Sequence, residues 1–325
     1  MSTIERNIHF GLLAASLSLA VWVFAAQPRS AEPATRGGAL EPATERRSPL
    51  SILPPGSAFM LSMDVRALSR APLGVFIAER LGRTAGTSKL AELCGFDPLA
   101  RLDQLALAIP SADLAAMAQP DFGIVASGRF SAAEIIRCTN AAIAARGGEA
   151  IPSRLGSFDS VRDGKSSSGA IAVKDGLVVV SDGNYFRALL DSAEGKRKTS
   201  PEDARGVRHS ELRRALGPAP LLVTWLLGEG WLERLTGGEP NARLSPLNAL
   251  KSVGARVDVG HTVSLLVLLE CADSAGATRI SSLLDELRSS LKALPLDPAL
   301  AGVAARIAVN QSGARLKLSL ELNRA

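Results

Sequence analysis

Arg315-Leu316-Lys317-Leu318-Ser319-Leu320-Glu321-Leu322 alternates apolar and polar residues without a break. Side chains along a strand point to opposite faces at every second residue, so this run is a strand with one dry face and one wet face. Upstream of it, Arg306 to Asn310 reads as a partner strand and Ser274 to Leu294 as a long helix. The helix carries Ile280, Leu283, Leu284, Leu287, Leu291 and Leu294 along one stripe. Val253 to Val259 and Thr262 to Leu269 form a hairpin through Gly260-His261. Leu221 to Leu227 and Gly230 to Leu235 supply a strand and a short helix ahead of it.

The same order of elements appears earlier in the chain. Ala58 to Val65 is a strand, and a short helix follows at Leu73 to Leu81. Leu102 to Ile109 and Phe122 to Ser127 are strands. Ser131 to Arg146 is a helix with Ser131 as N-cap and Glu134 three residues on, a capping box, and Gly147-Gly148 ends it. Strands at Ser157 to Arg162, Gly169 to Val173 and Leu177 to Ser181 precede a helix from Asn184 to Ser192, and Asp175-Gly176 makes the last strand pair a tight hairpin. The pattern predicts an α+β fold of two similar halves, 57–195 and 205–325, each a mixed or antiparallel sheet with helices on one face. A single mixed sheet with helices on one face is the simpler alternative.

Ahead of these halves, Ile8 to Ala26 is an apolar run without charge, 19 residues long. At about 1.5 Å per residue it spans roughly 28 Å, close to the hydrocarbon thickness of a bilayer. It is expected to be a signal anchor (1–26) that holds the body in the periplasm. The alternative is a signal peptide cleaved near Ala25. Residues 27–56 carry Pro28, Pro33, Pro42, Pro49, Pro54 and Pro55 among polar residues and read as a disordered tether. Glu194 to Asp203 reads as a loop between the halves.

Composition narrows the partners. The 325 residues are 46% hydrophobic and 21% charged, enough apolar content for a real core. A net charge of +5 with scattered basic residues, and only 4% aromatic residues, argues against nucleic acid and against sugar surfaces. The expected partners are the membrane, through the N-terminal helix if it is retained, and an unidentified envelope protein or apolar ligand.

Leu53-Pro54-Pro55-Gly56 leading into Met63-Asp64-Val65, Leu93-Cys94-Gly95-Phe96-Asp97-Pro98-Leu99, and Asp121-Phe122-Gly123-Ile124-Val125-Ala126 ahead of the helix with Cys138 together resemble a group of uncharacterised exported envelope proteins of high-GC bacteria. The resemblance covers about residues 50 to 195 and implies an envelope location and no activity.

Chemical signatures are sparse. Cys94 and Cys138 are the expected disulfide partners in an oxidising compartment, the alternative being two buried free thiols, and Cys271 is left alone. Gly164-Lys165-Ser166 has Asp159 where a phosphate-binding loop needs glycine, and Gly228-Glu229-Gly230 has Glu233 where a dinucleotide loop needs its third glycine. His209 reads as part of a helix start with Ser210 and Glu211, and His261 as a turn residue. Asp64, Asp97, Asp121 and Glu270 read as strand-end or turn residues. No catalytic, cofactor-binding or metal-ligating residue is expected. The function that follows is a non-enzymatic envelope interaction or assembly protein. A hydrolase with a carboxylate site formed only in the fold, or a lipid or lipoprotein carrier, are the alternatives.

Overall fold

The computed structural model describes residues 48–71, 87–110, 121–165, 169–196, 204–236, 242–260, 262–293 and 306–323. The segment Ile8 to Ala26, the helix expected at Leu73 to Leu81 and the turn at His261 lie outside these residues. All the described strands belong to a unit formed by Arg47–Ser282 with Ala308–Ala325. Leu283–Ile307 falls with Met1–Arg46 in a second unit. Its described part is the last turns of one helix together with residues 306–307, where Arg288 donates to Asp285 and to the Ile307 carbonyl.

The protein is α+β. A short helix α1 (Pro49–Ile52) leads into β1 (Phe59–Asp64), α2 (Val65–Arg70), α3 (Thr87–Cys94), β2 (Leu102–Ile109) and β3 (Gly123–Gly128). Helix α4 (Ala132–Ala145) is followed by β4 (Ala150–Leu155), β5 (Phe158–Asp163), β6 (Ala170–Lys174), β7 (Leu177–Ser181) and α5 (Gly183–Ala193). Then come α6 (Ala204–Leu216), β8 (Leu221–Leu226), α7 (Trp231–Leu235), β9 (Leu250–Val259), β10 (Thr262–Cys271), α8 (Ser274–Ala293), β11 (Ala308–Ser312) and β12 (Arg315–Asn323). The strands form one twelve-stranded sheet in the order β11-β12-β10-β9-β8-β1-β2-β3-β7-β6-β5-β4. Every neighbouring pair is antiparallel. Strands β1, β2 and β3 meander, α4 crosses, and the returning strands bring β7 beside β3; β8, β9 and β10 meander, α8 crosses, and β12 returns beside β10.

Register assigns each side chain to a face. Met60 of β1 lies opposite Ala108 of β2 and Thr224 of β8, and this front face is buried: Met60 is 4% exposed and Ala106, Ala108 and Thr224 are at 0%. Helices α5 and α6 cover it closely. A Cβ on Gly123 would lie 2.6 Å from Leu189 Cδ1 and Tyr185 Cε1, so only glycine lets α5 approach there. Ile52, Phe158 and Leu189, each at most 1% exposed, fill the core under α1 and α5. Burial of one such side chain stabilises the fold by about 1.5–3 kcal/mol.

Four expectations need correction. Helices lie on both faces: α4 sits over the back, where Arg146 pairs with Asp163 at 3.4 Å, and Gln311 of β11, also a back-face residue, donates to the Ser274 carbonyl of α8. The cause is that apolar side chains also line the back toward both ends of the sheet, Val161 of β5 and Leu316 and Leu322 of β12, each at most 8% exposed, so helices cover the back there. The two halves do not form separate sheets, because β1 pairs with β8 and runs them together; nor is any pair parallel. Residues 48–56 are folded rather than part of the tether. Pro49 opens α1, where its missing N–H costs nothing, and Ile52 and Leu53 carry that segment into the core. Finally, Ala204–Leu216 is a three-turn helix with His209 in its middle, not at its start.

Other expectations hold. Ser131 and Glu134 make the reciprocal capping box, and Lys317, Glu321 and Arg315 are exposed while Leu316 of the same strand is at 0%. In α8, Ala277 and Ile280 are buried but Leu287, farther along the expected stripe, is 42% exposed. Strand β4 escaped the sequence pattern because Pro152 interrupts it. It is an edge strand, the place where a missing ladder donor is tolerated.

Candidate functional site

A buried polar chain crosses the front of the sheet at the β1–β8 seam. His209, 2% exposed on α6, places Nε2 at 2.8 Å from the Ser57 carbonyl and Nδ1 at 2.7 Å from Thr224 Oγ1. A carbonyl can only accept, so Nε2 carries the hydrogen, and in the neutral ring Nδ1 accepts from the Thr224 hydroxyl. Ser57 Oγ donates to the Pro54 carbonyl at 2.7 Å, which leaves it to accept from Tyr185 O–H, also at 2.7 Å. The chain links α5, the entry to β1, α6 and β8. Its chemistry is structural: His209 meets the carbonyl of Ser57 and not its hydroxyl, so it cannot act as a base on that nucleophile. Thr224, at 0% exposure, is out of reach of any substrate.

The carboxylates are equally committed. Asp163 accepts from the backbone N–H groups of Lys165 and Glu149, and these bonds hold its pKa below the ordinary value. Glu270, at the end of β10, accepts from Ser252 at 2.8 Å and from Arg315 Nε at 2.9 Å. Asp64 caps α2 through Ala67 N–H, and Asp97 caps the turn at Leu99 and Ala100. Glu134 is held near 2 by the Ser131 backbone N–H and then by Arg101; Glu194 is held near 2 by Lys196 and then by the Ser157 backbone N–H. A general acid working at neutral pH needs the opposite shift.

These depressed carboxylates predict a pH profile. Each is lower in the folded chain than unfolded, so its contribution is complete above the unfolded value and is lost as pH falls through the folded one. The midpoint of denaturant unfolding should be level from pH 8 to about 5.5 and fall between about pH 5 and 2. In Glu134→Gln the fall should be shallower; an unchanged acid limb would remove Glu134 from the explanation.

The cysteines divide as expected. Cys94 and Cys138 form a disulfide between α3 and α4, with Cα atoms 4.3 Å apart, and both are buried. Cys271 is a buried free thiol, and burial, then Asp273, raise its pKa, which makes it a poor nucleophile. Gly164 and Lys165 form a turn after β5, where Lys165 Nζ donates to the Gly147 carbonyl. Among the described residues no cluster of His, Cys, Asp or Glu has the makings of a metal site. A recess of about 140 Å³ lined by Ser48, Leu50, Asp64 and Gln104 among others is open, and its Asp64 is already a helix cap.

What remains is the back of the sheet's middle. Phe59, Leu61 and Met63 of β1 lie opposite Trp225, Val223 and Leu221 of β8, all half-buried. Leu105 and Leu107 continue the surface into β2, and Val253 and Val257 into β9, again half-buried and uncharged. The front of the same strands carries Ser62, Asp64, Gln104, Thr224, Ser252 and Arg256, so their polar residues gather there and the back is left apolar. Sequence reasoning missed this surface. Its signal was present: Phe59 to Met63 and Leu221 to Leu226 contain one charged or polar residue between them besides Thr224, which an alternating, half-wet strand would not.

No family model matches the chain, and no curated protein matches it. Among solved structures, crystal form III of TP0453 is similar with a TM-score of 0.47 and 12% identity, over 85% of this chain and 94% of that one. Crystal form I of TP0453 gives 0.47 and 11% over 85% and 93%. A likeness of that size is too slight to carry a role from one chain to the other.

Proposed function

We propose that this is a non-catalytic protein of the bacterial cell envelope that binds an apolar partner on the back of its sheet. The observation that carries the reading is the uncharged, half-buried surface of β9, β8, β1 and β2. A patch of that kind marks a binding surface, because a soluble chain otherwise keeps contiguous apolar area small. Its body faces the periplasm, with Ile8 to Ala26 as the membrane anchor. The Cys94–Cys138 disulfide supports an oxidising compartment, and the resemblance to exported envelope proteins agrees with it. Against the hydrolase, both buried carboxylates, Asp163 and Glu270, are bound to donors.

The halves 57–195 and 205–325 are, on this reading, copies of one topology. Each would be a three-stranded meander, a crossover helix on the back and a return to the third strand, related by a two-fold axis through the β1–β8 pair. The second copy would have lost the two strands that correspond to β4 and β5.

Two measurements test the proposal together. A reporter enzyme active only in the periplasm, fused after Ala325, should be active, and a broad hydrolase screen on the full chain should find no turnover. Activity of a cytoplasm-only reporter would reject the location. Turnover abolished by a single change such as Asp163→Asn or Glu270→Gln would reject the non-catalytic reading.

A further inference from the structure

We infer that two copies of this chain join edge to edge through β11, the sheet of one continuing antiparallel into the sheet of the other. This interface is separate from the apolar back face and does not depend on it. The sheet ends in β4 on one side and β11 on the other. Each belongs to a hairpin closed by a two-residue turn with glycine first, Gly156 at φ 61° and Gly313 at φ 58°. In such a hairpin the two residues beside the turn bond to each other, and alternate residues beyond them point their N–H and C=O groups away from the sheet. On β4 the outward positions are Pro152 and Arg154, and on β11 they are Val309 and Gln311. Pro152 has no N–H to offer and Arg154 is an exposed charge, two common ways of closing an edge to other strands. Strand β11 has neither. It runs Ala308-Val309-Asn310-Gln311-Ser312 without charge, proline or bulge, and all but Val309 are exposed. Among the described residues no backbone group meets the outer side of Val309 or Gln311.

Helix α8 leaves this edge open. Its Ala277 and Ile280 are fully buried, and Gly276 lies against Ala249 at the entry to β9. Gln311 reaches inward to meet the helix at the Ser274 carbonyl and the Thr278 hydroxyl. The occupant this edge fits is its own copy. A two-fold axis at Asn310 sets Val309 of each chain opposite Gln311 of the other, and each pair exchanges two hydrogen bonds. Both residues belong to the back, so back continues into back. At the axis Asn310 meets its own copy. An amide both donates and accepts, whereas a charged side chain there would face its own sign. An edge of five residues is small beside the roughly 1,600 Å² of a standard interface, so the dimer is a reversible one.

The test is sedimentation and disulfide trapping of the full chain in detergent solution. The parent should show a concentration-dependent equilibrium between monomer and dimer. Opposed residues of a pair that shares no hydrogen bond lie about 4.5 Å apart at Cα, within disulfide reach. In a Cys271→Ala background, Asn310→Cys should therefore link to its own copy on mild oxidation. Ala308→Cys, equally exposed but roughly 13 Å from its copy in this register, should link about tenfold less. Val309→Pro removes an outward N–H from each chain and should weaken the dimer about thirtyfold. Asn310→Lys, an exposed change that leaves the fold alone, should weaken it about fivefold by setting like charges face to face. A parent that stays monomeric at every concentration would overturn the inference. Equal linking of Ala308→Cys and Asn310→Cys would overturn the register and the edge with it. A dimer unchanged in both Val309→Pro and Asn310→Lys would overturn it by placing the interface elsewhere. Linking of Asn310→Cys to a different protein during expression, in place of its own copy, would overturn it in favour of a foreign strand.

Discussion

Replacing His209 with alanine is expected to lower the free energy of unfolding by about 4 kcal/mol, a loss of roughly 10 °C in melting temperature for a unit of this size. Two contributions add. The imidazole is one of the largest fully buried side chains, so its removal leaves a cavity between α6 and β8. It also abandons the Ser57 carbonyl and the Thr224 hydroxyl, both buried, which lose partners at 2.8 and 2.7 Å. His209→Phe separates the two, since it fills the space and restores neither bond. It should still cost about 2 kcal/mol. A phenylalanine variant as stable as the parent would show that the buried chain through Ser57 and Tyr185 adds nothing to stability.

The second large effect belongs to the disulfide. Cys94 and Cys138 are separated by 44 residues. On the chain-entropy model a closed loop of about that length stabilises by about 4 kcal/mol. The double change Cys94→Ala with Cys138→Ala should therefore unfold far more readily than the parent in denaturant, whereas Cys271→Ala should cost only about 1 kcal/mol. Under denaturing, non-reducing conditions one thiol per chain should be labelled, and three after reduction. Three labelled thiols without reduction, in protein taken from the envelope, would remove the disulfide from the account.

Much of this architecture was legible before any coordinates. Leu316, Leu318, Leu320 and Leu322 alternate because β12 lies near the sheet's end, where the front side of the strand meets water. Ser131 and Glu134 announce α4 because a capping box satisfies orphan donors locally, with no help from the rest of the fold. The failures share a cause. Alternation in β1, with Leu61 and Met63 on the back and Ser62 and Asp64 on the front, tells the two faces apart but not which of them a helix covers, nor that β1 would pair with β8 and join the strands into one sheet. Proline content misread 48–56, since Ile52 and Leu53 decide that segment's fate through long-range burial. His209 seemed a cap because its neighbours Ser210 and Glu211 favour helix starts. Its real partners, Ser57 and Thr224, stand 152 and 15 residues away and meet it only in the fold. The apolar surface was written in the same strands, but choosing it as the site required knowing which side the helices leave half-buried.

The most direct test of the central claim is to map where an uncharged diazirine hydrocarbon attaches to the full chain in nanodiscs, by mass spectrometry of its peptides. Adducts are predicted on the peptides of β1 and β8. They should disappear in Leu61→Gln combined with Val223→Thr, two near-isosteric polar changes on the back face, and persist in Val207→Thr, which alters an exposed apolar residue of α6. Adducts on α6 in place of β1 and β8, or labelling of β1 and β8 that survives both back-face changes, would contradict the account.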